Sequence, residues 1–102
     1  MKNFASRKSF FGLHHFFIKG LKFMQAYIFV NTDPGRPWDV AEKALEIEGV
    51  KMAHAVTGQF DVVIYVELSK IEELGKLIGE LHSLNGVLRT QTAIAMPSRV
   101  PM

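Results

Sequence analysis

Apolar and polar positions divide the chain from residue 24 onward into six segments. Met24 to Asn31 is apolar on both alternating sets, with Ala26, Ile28 and Val30 on one and Tyr27 and Phe29 on the other. That pattern predicts a strand covered on both faces. Phe60 to Leu68 reads the same way, because Val62 to Val66 is an unbroken run of β-branched and aromatic residues. Two further strands are more mixed. Val50 to Thr57 carries Lys51, His54 and Thr57, and Val87 to Met96 alternates Arg89 and Gln91 against Leu88, Thr90, Thr92 and Ile94. Polar residues spread through a strand suit a sheet edge.

The segments between the strands have helical spacing. Thr32-Asp33-Pro34-Gly35 breaks the first strand. Pro37 suits a first helical turn, where its missing N–H costs nothing. Trp38, Ala41 and Leu45, with Ala44 beside them, form the predicted inner stripe, Glu42, Lys43 and Glu46 the outer face, and Gly49 a left-handed cap. The second helix opens on Ser69-Lys70-Ile71-Glu72, which reads as a capping box. It carries Ile71, Leu74, Leu77, Ile78, Leu81 and Leu84 on one stripe and ends at Asn85-Gly86. Gly75 and Gly79 fall on this helix and are expected to be packing positions.

The order is therefore β-α-β-β-α-β, and each crossover between strands is right-handed. This predicts an α+β fold, a ferredoxin-like sandwich with a four-stranded antiparallel sheet, strands one and three central, two and four at the edges. Two helices cover one face of such a sheet. The other face keeps large apolar groups, either the Tyr27/Phe29 set or the Ala26/Ile28/Val30 set. A contiguous exposed patch of that kind calls for a cover. The simplest cover is a second copy of the same sheet, which makes a homodimer of the dimeric α+β-barrel type.

Composition adds three things. The 102 residues make one domain with a modest core, and with no cysteine there is no disulfide framework and no Cys-based zinc site. Nothing demands an oxidising compartment, so the cytoplasm is expected. Charge is asymmetric: Lys2, Arg7, Lys8, Lys19 and Lys22 stand in residues 1–23 without an acid, whereas residues 24–102 are net acidic. The pI near 9.0 belongs to the leader, and direct nucleic-acid binding by the domain is not expected. That leader, 1–23, is Phe-rich; 24–96 is the folded domain; 97–102, with Pro97 and Pro101, is a tail. The leader reads as a loosely ordered extension, as residues upstream of a start at Met24, or as a surface-binding amphipathic segment. A chain starting at Met24 is expected to fold and assemble like the whole. The leader is too short and too charged to span a membrane, and no membrane association of the domain is expected.

No catalytic or metal-binding constellation stands out. His54 and His82 sit on separate elements, Ser69 is accounted for as a cap, and Gly-rich phosphate loops are absent. No cofactor is expected. The candidate ligand site is the turn Thr57-Gly58-Gln59-Phe60-Asp61 with Thr90 and Thr92 on the last strand. A free amino acid offers a carboxylate, which suits backbone N–H groups of a turn, and an ammonium, which suits Asp61. The same residues also have a plain reading, with Gly58 as turn chemistry and Asp61 closing the hairpin.

Four stretches together resemble a known family: Tyr27-Ile28-Phe29-Val30-Asn31-Thr32-Asp33-Pro34-Gly35; Gly49-Val50; Val56-Thr57-Gly58-Gln59-Phe60-Asp61-Val62-Val63; and Gly86-Val87-Leu88-Arg89-Thr90-Gln91-Thr92. They look like the effector-binding (RAM) domain of the Lrp/AsnC regulators, over roughly Met24 to Met96, of the stand-alone type without a DNA-binding domain. The resemblance implies a ferredoxin-like dimer, assembly of dimers into rings, and binding of amino acids or similar effectors between dimers. Modulation of full-length regulators by co-assembly is a further expectation for such a module. Carried over, Gly58, Gln59 and Phe60 supply the turn backbone, Asp61 the ammonium partner, and Thr90 and Thr92 line the same cleft. Phe60 stands where the family often has tyrosine, which removes a hydroxyl. The expected function is thus a non-enzymatic effector-binding module. The alternative is a small dimeric α+β-barrel enzyme, a cofactor-free monooxygenase or isomerase, for which Tyr65 and His54 are the only candidate groups.

Overall fold

A computed structural model describes residues 23–96; the leader before Phe23 and the tail 97–102 lie outside the described residues. The elements are β1 (Met24–Thr32), α1 (Pro37–Ala44), β2 (Val50–Ala55), β3 (Val62–Leu68), α2 (Ile71–His82) and β4 (Val87–Ile94). They build one antiparallel sheet in the order β2-β3-β1-β4, the ferredoxin-like arrangement. The two doubly apolar strands are central and the two mixed strands are at the edges, as the pattern predicts.

The register decides which face each residue occupies. Ile28 pairs with Ile64 and with Thr92, and Phe29 pairs with Val63 and with Gln91. Directly opposed residues share a face. Ala26, Ile28, Val30, Val62, Ile64 and Val66 are fully buried against the helices. Each branched aliphatic hidden this way contributes about 1.5–3 kcal/mol relative to exposure. Tyr27, Phe29, Val63, Tyr65, Met52 and His54 lie on the opposite face, which no helix covers. Tyr27 and Met52 stay 42% and 47% exposed there.

The helices differ from expectation in phase. On α1 the buried residues are Val40, Ala41 and Ala44, whereas Trp38 and Leu45 point outward. Eight residues are barely two turns, so an apolar stripe on either side satisfies the spacing, and small residues let the helix approach the sheet. The helix stops at Ala44. Two tight turns, closed by Glu46 N–H to Lys43 carbonyl and Val50 N–H to Ile47 carbonyl, precede β2. Gly49 serves the second of these rather than the helix cap, at φ +100°. On α2, Leu74, Leu77 and Leu81 are buried but Ile71 is exposed. Gly75 and Gly79 face open space, so the expectation that they pack against a neighbour is wrong for the described residues. The expected capping box does not form: the N-cap is Lys70, and no side chain caps the first helical N–H groups. The Ser69 N–H and hydroxyl both donate to the Glu73 carboxylate, not to Glu72. The Ser69 backbone N–H thereby holds the Glu73 pKa below its ordinary value. β2 ends at Ala55 and β3 begins at Val62, so the hairpin loop between them is longer than the two-residue turn expected.

Candidate functional site

The β2–β3 loop folds back on the end of β1. The Asp61 N–H donates to the Val30 carbonyl at 2.8 Å, and the Val56 N–H donates to the Asp61 carbonyl at 2.9 Å. The Asn31 side-chain amide donates to the Gln59 carbonyl at 2.9 Å. Phe60 lies against Phe29 on the open face of the sheet, ring centroids 5.1 Å apart. Gln59, Phe60 and Asp61 are therefore brought together by β1, through contacts about thirty residues away in sequence.

Asp61 has a definite structural partner. Its Oδ2 accepts the backbone N–H of Thr32 at 2.8 Å. Thr32 is buried, and the bond closes the end of β1 where the ladder to β4 shifts register. Asp61 itself is only half-buried, which leaves its second oxygen to solvent. The tip of the loop is open. Thr57, Gly58 and Gln59 are exposed, and no backbone hydrogen bond ties their N–H groups to another described residue. Gly58 has φ +115° and nothing within 4 Å of where a Cβ would stand. The turn therefore needs glycine for its backbone angle and not for lack of room. Backbone N–H groups without a backbone partner suit an anion, and a carboxylate with one unpaired oxygen suits an ammonium.

Thr90 and Thr92 sit elsewhere, Thr90 level with that end of β1 and Thr92 nearer its middle. Thr90 pairs with Val30 and Thr92 with Ile28, so both side chains lie on the helix side, one strand beyond β1. The Thr90 hydroxyl is 3.1 Å from His82 Nε2 at the last turn of α2. The turn and Thr90 thus flank Val30 from its two sides and do not touch. Three residues that sequence reasoning left out join this region. His82 meets Thr90, Asn31 holds the turn, and Arg89 Nε donates to Asn31 Oδ1 at 3.4 Å. The eight-residue separation of His82 and Thr90 across a tight turn was a usable signal; the Asn31–Gln59 contact had none.

Tyr65 lies on the open face, away from the turn. Its hydroxyl donates to Glu67 Oε2 at 2.9 Å and accepts from Gln25 Nε2 at 2.7 Å. Burial and the neighbouring Glu67 carboxylate push its pKa up to about 12. Among the described residues no group of three or more His, Asp or Glu could hold a metal ion, and no helix is long and apolar enough to cross a membrane.

Sheet order, hairpin turn and exposed sheet face together define a ferredoxin-like α+β domain with one face of its sheet left open. The model of the Lrp/AsnC ligand-binding domain matches residues 25–101, and the chain belongs to that family. Among curated proteins, the HTH-type transcriptional regulator LysM of Sulfurisphaera tokodaii is 31% identical over 74 residues, covering 72% of this chain and 53% of LysM. The chain thus spans about half the length of the curated relatives it matches. Among solved structures, TTHA0845 from Thermus thermophilus is 29% identical with a TM-score of 0.72, covering 76% of this chain and 99% of that one. The complex of transcriptional regulator NMB0573 from Neisseria meningitidis with L-Met shares the fold, with a TM-score of 0.67 at 20% identity over 76% of this chain and 53% of that one.

Proposed function

We propose that this chain is a cytoplasmic effector-binding module that takes an amino acid at the Thr57–Asp61 turn. It works as a homodimer joined across the open sheet face, with dimers closing into a ring. Co-assembly with full-length Lrp/AsnC regulators is the route by which it acts on transcription. The observation that carries the reading is the turn itself, exposed residues whose N–H groups have no backbone partner, next in sequence to a carboxylate with one oxygen to spare. The effector's carboxylate lies on Gly58 and Gln59, its ammonium on Asp61, and Phe60 supplies an apolar wall. Thr90 and Thr92 approach from the far side of β1, as the part of the cleft a neighbouring dimer completes. The L-Met complex of NMB0573, which shares the fold, supports the choice of ligand class.

The enzymatic alternative is weaker on two grounds. Tyr65 is held protonated by burial and by Glu67, far from the neutral pKa that proton transfer needs. His54 stands exposed on an edge strand across from Val63. A thermal-shift screen of the twenty amino acids tests the proposal, since a ligand that binds the native state raises its apparent stability. One or a few side-chain classes are expected to raise the melting temperature. A flat response across all twenty at millimolar concentration counts against it.

A further inference from the structure

The helix side of the molecule carries a groove that the effector site does not use. It lies between the C-terminal end of α1, the start of β2, the end of β3 and α2, with a volume of about 680 Å³. Its floor is apolar, made by Ile47, Leu68, Leu77 and Leu84. Its rim carries Glu46, Glu48, Glu73 and Glu80 against Lys43, Lys51 and Lys76. Phe23, the first described residue, is itself part of the lining. The peptide bond to residue 22 is therefore made at the groove.

That segment has the complementary chemistry. It holds five cations, no acid and five phenylalanines, Phe4, Phe10, Phe11, Phe16 and Phe17. Lys22 adjoins Phe23, one Cα–Cα step of about 3.8 Å away, and Lys19 follows upstream. We infer that residues 1–22 dock in this groove on their own protomer, phenylalanines on the apolar floor and lysines toward the glutamate rim, in place of the loose tail expected from sequence. The groove lies on the helix side, away from both the open sheet face and the effector turn, so the inference stands independently of the proposed function.

Photo-crosslinking of the full chain tests this. Phe16 is replaced by p-benzoylphenylalanine, an aromatic for an aromatic, and the products are mapped by mass spectrometry. Cross-links to the segments around Ile47 and Leu84 are expected. Their yield should fall on Lys19→Glu with Lys22→Glu and recover when Glu46→Lys and Glu80→Lys are added. An equal mixture of ¹⁵N-labelled and unlabelled chains separates the possible occupants. Cross-links joining light to heavy chains mean that a neighbour's leader fills the groove, and overturn the inference. Cross-links to β4 or the open face, or none above background, overturn it as well.

Discussion

Asp61 is asked to do two things, and two substitutions separate them. Its Oδ2 caps the Thr32 N–H at 2.8 Å, and its other oxygen is the proposed partner of an effector's ammonium. Asp61→Asn keeps an acceptor oxygen for Thr32 and removes the charge. Asp61→Ala removes both. Thr32 is 7% exposed, so in the alanine variant its N–H loses its partner with little access to water. An unsatisfied buried donor costs about 1–3 kcal/mol. For a domain of this size that corresponds to a fall in melting temperature of roughly 4–8 °C per kcal/mol. Asp61→Asn should cost clearly less, because only the charge-assisted part of the bond is lost. Binding should respond in another order. A hydrogen bond to a charged group contributes about 1.5–3 kcal/mol, so both variants should lose roughly one to two decades of affinity. The assay is thermal unfolding at one fixed protomer concentration, paired with titration calorimetry against the amino acid found by screening. If Asp61→Asn binds as tightly as the parent, the carboxylate is a backbone cap alone and the ammonium site lies elsewhere.

Other consequences follow from particular contacts. Phe29→Lys places a charge on the open face and should dissociate the proposed dimer, read by sedimentation; a variant still dimeric at micromolar concentration refutes assembly through that face. Gly49→Ala should destabilise by about 2–5 kcal/mol, from positive φ and overpacking together, because its Cβ would come within 2.7 Å of Leu68 Cδ2. Gly58→Ala, with open space around it, should cost only the backbone share of about 1–2 kcal/mol; equal losses in chemical denaturation would show that crowding at Gly49 is relieved by side-chain movement. Tyr65 has its folded-state pKa raised from 10.0 to about 12. Its contribution is therefore complete below pH 10 and lost as pH rises from there to about 12. Stability measured across that window should fall less steeply in Tyr65→Phe.

Much of this fold is legible in the order of apolar residues. The doubled apolar character of Met24–Thr32 and Val62–Leu68 places them in the middle of the sheet, and the polar residues of β2 and β4 place those at its edges. The turn Thr57–Asp61 is visible as a candidate because glycine, a polar tip and a carboxylate stand together. Three matters were left to tertiary structure. The Ala26/Ile28/Val30 and Tyr27/Phe29 sets are both apolar, so periodicity cannot say which meets the helices. Volume does: the smaller set fits beneath Val40, Ala41 and Ala44, and the aromatic rings are left to the open face. The phase of α1 is undetermined in eight residues, and only contact with the sheet turns Trp38 outward. The partner of Asp61 is a backbone N–H twenty-nine residues earlier. Nothing local marks Thr32 as that partner, because the need arises only when β1 and the β2–β3 hairpin lie side by side.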